Sequence, residues 1–170
     1  MPIRCSLACA IILLPFAAQA ADTLQISGVS SERDIACEDG QEVSISGARH
    51  KLTLSGRCGL VEIHGSGHDV TFETAQALYV TGIGNAATGG SVSKLTVDAT
   101  RHRVSTAVLA VDAVAEVEVS GADQALELKL GGPAKITVNG ARNKVRWQAG
   151  AGVKAPAVEI AGIENSVARR

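Results

Sequence analysis

The chain has 170 residues and a formal net charge of −1, enough length for one domain with its own core. That near-neutral balance excludes nucleic acid as the main partner, because phosphate binding needs a strongly basic footprint. Aromatic residues make up 2% of the chain, which argues against base-stacking or sugar-stacking platforms. The 18 glycines, together with frequent Val, Ile and Thr, point to strands and tight turns rather than helices.

The first element in chain order is a processing signal. Arg4 supplies a basic start, Leu7 to Ala17 is a short apolar core broken by Pro15, and Ala18-Gln19-Ala20 fits the small-x-small rule for cleavage before Ala21. Residues 1–20 are therefore expected to be a signal peptide and residues 21–170 the mature domain. Loss of Arg4, the one charged residue among the first twenty, moves the formal net charge from −1 to −2. The apolar stretch is too short to span a bilayer comfortably. No later run is long and apolar enough, so no transmembrane segment is expected after signal removal. Cys9 lies inside the apolar core with its leucine misplaced for a lipid-attachment box. Cys5 and Cys9 leave with the signal. The remaining Cys37 and Cys58 read as one disulfide in an oxidising compartment, and neither belongs to a C-x-x-C pair that would favour redox or metal chemistry. The expected location is periplasmic or secreted.

The mature chain repeats one pattern: apolar-x-apolar-x-Gly, a short corner, then apolar-x-apolar. The anchor position falls at Gly28, Gly47, Gly65, Gly82, Ala99, Gly121, Gly140 and Gly162, in steps of 17 to 22 residues. The two apolar positions before each anchor are Leu, Ile or Val throughout, from Leu24/Ile26 to Val158/Ile160. The residues between them are mostly polar, which is the period-2 alternation of a half-buried strand. A second alternating strand follows each corner, with inward pairs Leu52/Leu54, Val70/Phe72, Val104/Thr106, Leu126/Leu128 and Val145/Trp147. The fourth repeat is degenerate there, with Ala87 and Gly89. The first has no clear match, because Ser30-Ser31-Glu32-Arg33 breaks the pattern. Three residues after the anchor stand His50, His68, Asn85, His102, Gln124, Asn143 and Asn165, read as corner residues that tolerate a left-handed backbone.

A unit of this kind cannot bury its own apolar face, and stacking neighbours does so. The expected fold is all-β, a single-domain β-solenoid (parallel β-helix-like) of about eight short turns. Strands about 4.8 Å apart would make a rod nearly 40 Å long. Cys37 and Cys58 fall in the return segments of the first two turns, where a disulfide would clamp the N-terminal end. The alternative is a β-sandwich, which has no reason to repeat Gly-x-x-[Asn/His/Gln]-x-[Val/Leu] at successive corners.

The copies Val43 to Leu54, Val61 to Phe72 and Ile136 to Trp147 carry this motif most clearly. With the cysteine pair near the start, the pattern resembles a family of short exported bacterial proteins, some lipidated, catalogued as a domain of unknown function. Their hallmark is repeated Val-x-Val-x-Gly-x-x-Asn-x-Val units. The resemblance covers most of the mature chain. It implies a solenoid fold and an address outside the cytoplasm, and it brings no catalytic residues.

Four candidate sites follow. The first is a histidine column. His50 and His68 fall on neighbouring turns, with Asp69 or His64 as a further ligand, but a zinc or copper site needs three or four donors and the column is elsewhere Asn or Gln. The second is a basic edge of Arg49, Lys51, Arg101, Arg103, Arg142 and Lys144 at the same corners, interrupted by Asp69, Asp123 and Glu164. It is read either as a ridge for anionic polysaccharide or lipid headgroups or as solvated corner charge. The third is a hydroxyl column of Thr53, Thr71, Thr88 and Ser105, for which cross-strand pairing is sufficient reason. The fourth, catalysis, has little support. His64 and Asp98 share an outward column two turns apart, too far for a direct pair. No nucleophile elbow, phosphate loop or zinc-protease motif occurs. No catalytic residue, cofactor or metal is assigned. The function expected is an exported non-enzymatic module presenting a rigid polar surface to envelope polysaccharide or another envelope protein. The alternatives are a small carbohydrate-active β-helix enzyme and a self-assembling structural subunit.

Overall fold

A computed structural model describes residues 23–110 and 114–170. The expected signal peptide and its cleavage site lie outside the described residues. The described residues begin with β1 (Leu24–Ile26), followed by four long strands, β2 (Glu32–Ile45), β3 (Lys51–Ile63), β4 (Asp69–Val80) and β5 (Ala86–Val97). Shorter strands follow: β6 (Arg103–Val108), β7 (Ala115–Val119), β8 (Ala125–Leu130), β9 (Ala134–Val138), β10 (Lys144–Ala149), β11 (Ala157–Ile160) and β12 (Ser166–Arg169).

Every ladder is parallel, and each strand pairs with its equivalent one repeat away. The result is a β-solenoid of eight turns, and the β-sandwich alternative, which is built from antiparallel strands, falls. In the first half each long strand carries the second strand of one turn, its return and the first strand of the next. From β5 onward the sheet divides into two paths, β6-β8-β10-β12 and β7-β9-β11, because the returns leave the ladder, at Gly131-Gly132-Pro133 between β8 and β9 and over the longer stretch 150–156 between β10 and β11.

The sixteen inward positions before the anchors stack in register, as in Val61↔Leu78 and Ile63↔Val80. Most are fully buried: Ile45, Val61, Ile63, Val80, Leu95, Val97, Val119, Ile136 and Val138 show no exposure. The fourth turn, degenerate by sequence, is a packing complement. A Cβ on Gly89 would lie 2.2 Å from the Phe72 ring, so the missing side chain makes room for the aromatic one turn below. The first turn corrects the sequence reading. β2 does supply a second strand there, with Arg33↔Leu52 and Ile35↔Leu54 in register, so an arginine takes an inward position at the N-terminal end.

Cys37 and Cys58 form a disulfide, with Cα atoms 5.2 Å apart, joining the returns of the first and second turns. At the other end β11 pairs with β9 alone among the described residues, and its inward Val158 and Ile160 are 41% and 51% exposed. No helix among the described residues is long and apolar enough to cross a membrane.

Candidate functional site

The corner after each first strand is made by three stacked positions. The first is the anchor. All seven anchor glycines have positive φ, between 92° and 112°, and Ala99 joins them at 82°. The column is closed to side chains: a Cβ on Gly47, Gly65, Gly82, Gly121, Gly140 or Gly162 would come within 1.9–2.1 Å of the preceding anchor's carbonyl oxygen. The next column, Val29, Ala48, Ser66, Ile83, Thr100, Ala122, Ala141 and Ile163, is tied by isolated parallel bridges along the whole rod.

The left-handed residue is not the one expected. It lies one position before the Asn/His column, at Ser30 (φ 57°), Arg49 (57°), Gly67 (67°), Gly84 (69°), Arg101 (59°), Asp123 (59°), Arg142 (57°) and Glu164 (57°). Sequence reasoning assigned the conformation to the Asn/His position on residue type alone. The hydrogen bonds give those residues another role, for they turn inward. His50, His68, Asn85, His102, Gln124 and Asn143 are each at most 1% exposed.

These buried side chains form a polar ladder. Each accepts a hydrogen bond from the backbone N–H of the ladder residue one turn before it. His50 N donates to His68 Nδ1 (3.1 Å), His68 N to Asn85 Oδ1 (2.9 Å) and Asn85 N to His102 Nδ1 (3.1 Å). His102 N donates to Gln124 Oε1 (3.1 Å), Gln124 N to Asn143 Oδ1 (3.0 Å) and Asn143 N to Asn165 Oδ1 (2.9 Å). At every rung but His102 the other end of the side chain reaches the carbonyl four residues back. Asn85 Nδ2 donates to Thr81 O (2.8 Å), and Asn143 Nδ2 to Asn139 O (3.0 Å). His50 Nε2 reaches Ser46 O (3.0 Å) and His68 Nε2 reaches His64 O (2.9 Å). A carbonyl only accepts, so these rings are neutral with the proton on Nε2. Both nitrogens of His50 and His68 are thus occupied by backbone, and the metal reading of this column loses its donors. His102 Nε2 is buried without a hydrogen-bond partner. Burial holds His68 and His102 below the usual imidazole pKa, against the opposing pull of the His64 carbonyl on the first and the Asp98 carbonyl on the second.

Above the ladder stand the expected basic residues, all exposed. They form two columns: Arg49, Arg101 and Arg142 at left-handed positions, and Lys51, Arg103 and Lys144 two residues on. Lys51 pairs with Glu32 (2.9 Å) and Arg142 with Asp123 (2.7 Å). Arg49, Arg101, Arg103 and Lys144 have no acidic partner within 4.0 Å among the described residues. Strand spacing puts Arg101 and Arg103 roughly 10 Å from Arg142 and Lys144, and roughly 15 Å from Arg49 and Lys51. Between Arg49 and Arg101 the left-handed positions are Gly67 and Gly84, so the floor there is bare backbone.

The other candidates are placed as follows. Thr53, Thr71, Thr88 and Ser105 are in register on adjacent strands and exposed, but Asp34 and Glu127 bound the column. Asp98 accepts from Ser120 Oγ (2.6 Å) and Ala99 N (2.7 Å). The serine above all, then the amide, holds its carboxyl below the usual range, so Asp98 supports the one anchor that is not glycine. His64 stands 3.6 Å from Glu62 and edge-on to Tyr79, beside the outward column that runs through Glu62, Tyr79, Thr96 and Glu118.

A family described as a protein of unknown function (DUF3060) matches residues 45–101. No curated protein matches the chain, and no solved structure does. The matched stretch holds the corners anchored at Gly47, Gly65, Gly82 and Ala99, with Arg49, Arg101 and three rungs of the ladder. Over these central turns of the solenoid the chain is similar to the DUF3060 family, whose description carries no function.

Proposed function

We propose that the protein is an exported, non-enzymatic module, periplasmic or secreted, whose basic corner binds an anionic polysaccharide of the cell envelope. The disulfide is compatible with an extracytoplasmic location. The observation that carries the reading is the placement of Arg49 and Arg101 at φ 57° and 59°. A left-handed conformation costs an ordinary L-residue roughly 1–2 kcal/mol, and glycine fills the same position at Gly67 and Gly84 without that cost. Arg49 and Arg101 are held there at a local cost, with no carboxylate within 4.0 Å among the described residues and with Asp123 drawing on Arg101 from one turn away, on a backbone bridged on both sides, an arrangement that suits a rigid polyanion.

The alternative of a carbohydrate-active enzyme would look to Glu116, Glu118 and Glu159, which line one shallow depression with Lys135 and Thr137. Lys94 pairs with Glu116 (3.2 Å) and Lys135 with Glu159 (2.9 Å), which leaves no two free carboxylates facing each other there.

The test is binding of the mature protein to polygalacturonate, with dextran as the neutral control. The comparison protein carries Arg49→Ser, Arg101→Ser, Arg103→Ala and Lys144→Ala, residues that the same columns already use at Ser30, Ala86 and Ala125. Salt-sensitive binding to polygalacturonate, weakened at least about tenfold in the variant, is expected. Equal binding by both proteins would overturn the proposal, and shortening of the polymer would replace it with the enzyme reading.

A further inference from the structure

We infer that the histidine rungs make the central turns of the solenoid acid-labile, a pH-sensitive device that the Asn and Gln rungs of the C-terminal turns lack. The inference is independent of what the corner binds. Seven positions do one job, and the side chains chosen for it differ in one respect. Asn85, Gln124, Asn143 and Asn165 accept from a backbone N–H through an amide oxygen that no physiological pH alters. His50, His68 and His102 accept through Nδ1: from Ser31 N (3.1 Å), His50 N (3.1 Å) and Asn85 N (3.1 Å). A proton added to the ring goes on Nδ1, where it would face another N–H. The rung then changes from a bond to a donor–donor contact inside a buried column.

The surroundings offer little to offset this. The His50 and His68 rings are stacked, with centroids 5.0 Å apart and planes within 5°, so a charge on one opposes a charge on the other. Around His68 lie the His50 ring and N–H, the His64 carbonyl and the Gly65 backbone. Around His102 lie Asn85, the Gln124 side chain and Asp98. Asp98 is the one carboxylate that favours its protonation, and that carboxylate is already engaged by Ser120 and Ala99. The adjacent Arg49, Lys51, Asp69, Arg101 and Arg103 are all exposed.

In the unfolded chain an imidazole takes its proton near pH 6.5. In the folded chain His68 and His102 take it at lower pH, chiefly through burial. Between those values the unfolded state binds more protons. Stability is therefore complete above about pH 6.5 and falls as the pH drops, by up to about tenfold per pH unit in the folding equilibrium for each of the two histidines. Hydrogen exchange of the oxidised mature protein at pH 7.5 and pH 5.0, corrected for intrinsic rates, reads this turn by turn. The expected result is a loss of at least about tenfold in protection between Ser46 and Ser105, with β8, β10 and β12 unchanged. His68→Asn/His102→Asn, which copies the Asn85 and Asn143 rungs, should abolish the loss. Full protection of the wild-type central turns at pH 5.0, or the same acid loss in the variant, would overturn the inference. If the variant does not fold, NMR titration of the wild-type rings decides. Titration of His68 and His102 near 6.5 with the ladder amides still protected overturns it, and titration only as those amides open supports it.

Discussion

Ala99→Gly and Gly140→Ala move one methyl group out of, or into, the same structural column. Ala99 has the smallest φ of the eight anchors, 82°. The bond beside it, Thr100 N to Gly82 O, is the longest of its series at 3.2 Å, where the equivalents run from 2.8 to 3.1 Å. Both features fit a methyl accommodated by a small displacement of the fifth turn. Its removal relieves roughly 1–2 kcal/mol of left-handed strain, set against roughly 0.4–1 kcal/mol for the looser unfolded chain. Ala99→Gly should therefore stabilise by about 0.5–1 kcal/mol. Gly140→Ala runs the other way. Its Cβ would meet Gly121 O at 2.0 Å and the Gly121 carbonyl carbon at 2.9 Å, backbone atoms that cannot swing aside. Left-handed strain and roughly 1–3 kcal/mol for overpacking give a destabilisation of about 3 kcal/mol. Urea denaturation followed by far-UV circular dichroism and by Trp147 fluorescence reads both as midpoint shifts at constant slope. A Gly140→Ala protein within about 0.5 kcal/mol of wild type, or a destabilised Ala99→Gly protein, would refute the reading of this column as sterically closed.

The disulfide and the two ends of the rod give further expectations. Replacing Cys37 and Cys58 by serine, which opens a link across 21 residues, should cost about 3 kcal/mol, with the fraying seen by hydrogen exchange confined to the first two turns. Arg33, in register with inward Leu52, and Arg169, in register with inward Trp147 and stacked 5.6 Å from its ring, stand at inward positions of the two ends. Head-to-tail stacking would enclose both guanidinium groups in the apolar interior, a charge placement that guards sheet edges. Arg33→Leu/Arg169→Leu should therefore promote end-to-end fibres visible by light scattering and electron microscopy, relative to the wild type at the same concentration. Assembly by the wild type at the same concentration would favour the structural-subunit alternative and refute this reading of the two arginines.

The repeat itself was legible in the sequence because its cause is local. Alternation such as Val61-Glu62-Ile63 reports which side chains face inward, and a recurring glycine reports a corner, whatever lies beyond the repeat. The Cys37–Cys58 pairing followed because these are the two cysteines beyond the expected signal peptide and both fall in the returns of adjacent turns, although the register sets Cys37 opposite Gly56 and Cys58 opposite Gln41. The ladder was not legible. His50 and Asn143 look like corner residues until partners 17 to 22 residues away are brought alongside. Only then is it clear that the left-handed residue precedes them and that their side chains point in. The same holds for Arg33, whose inward position depends on the Arg33↔Leu52 register, and for Gly89, whose missing side chain matters only beneath the Phe72 ring. The basic corner lies between these cases. Its residues could be named from their spacing, but which of them keep a free charge depended on acidic neighbours one turn away, such as Glu32 and Asp123. The sequence by itself determined the period and the inward faces, both set within a single repeat, and the disulfide, set by there being two cysteines beyond the expected signal peptide. The tertiary structure alone decided the buried polar column, the strained anchor and the unpaired cations, because each depends on a contact between repeats that no single repeat contains.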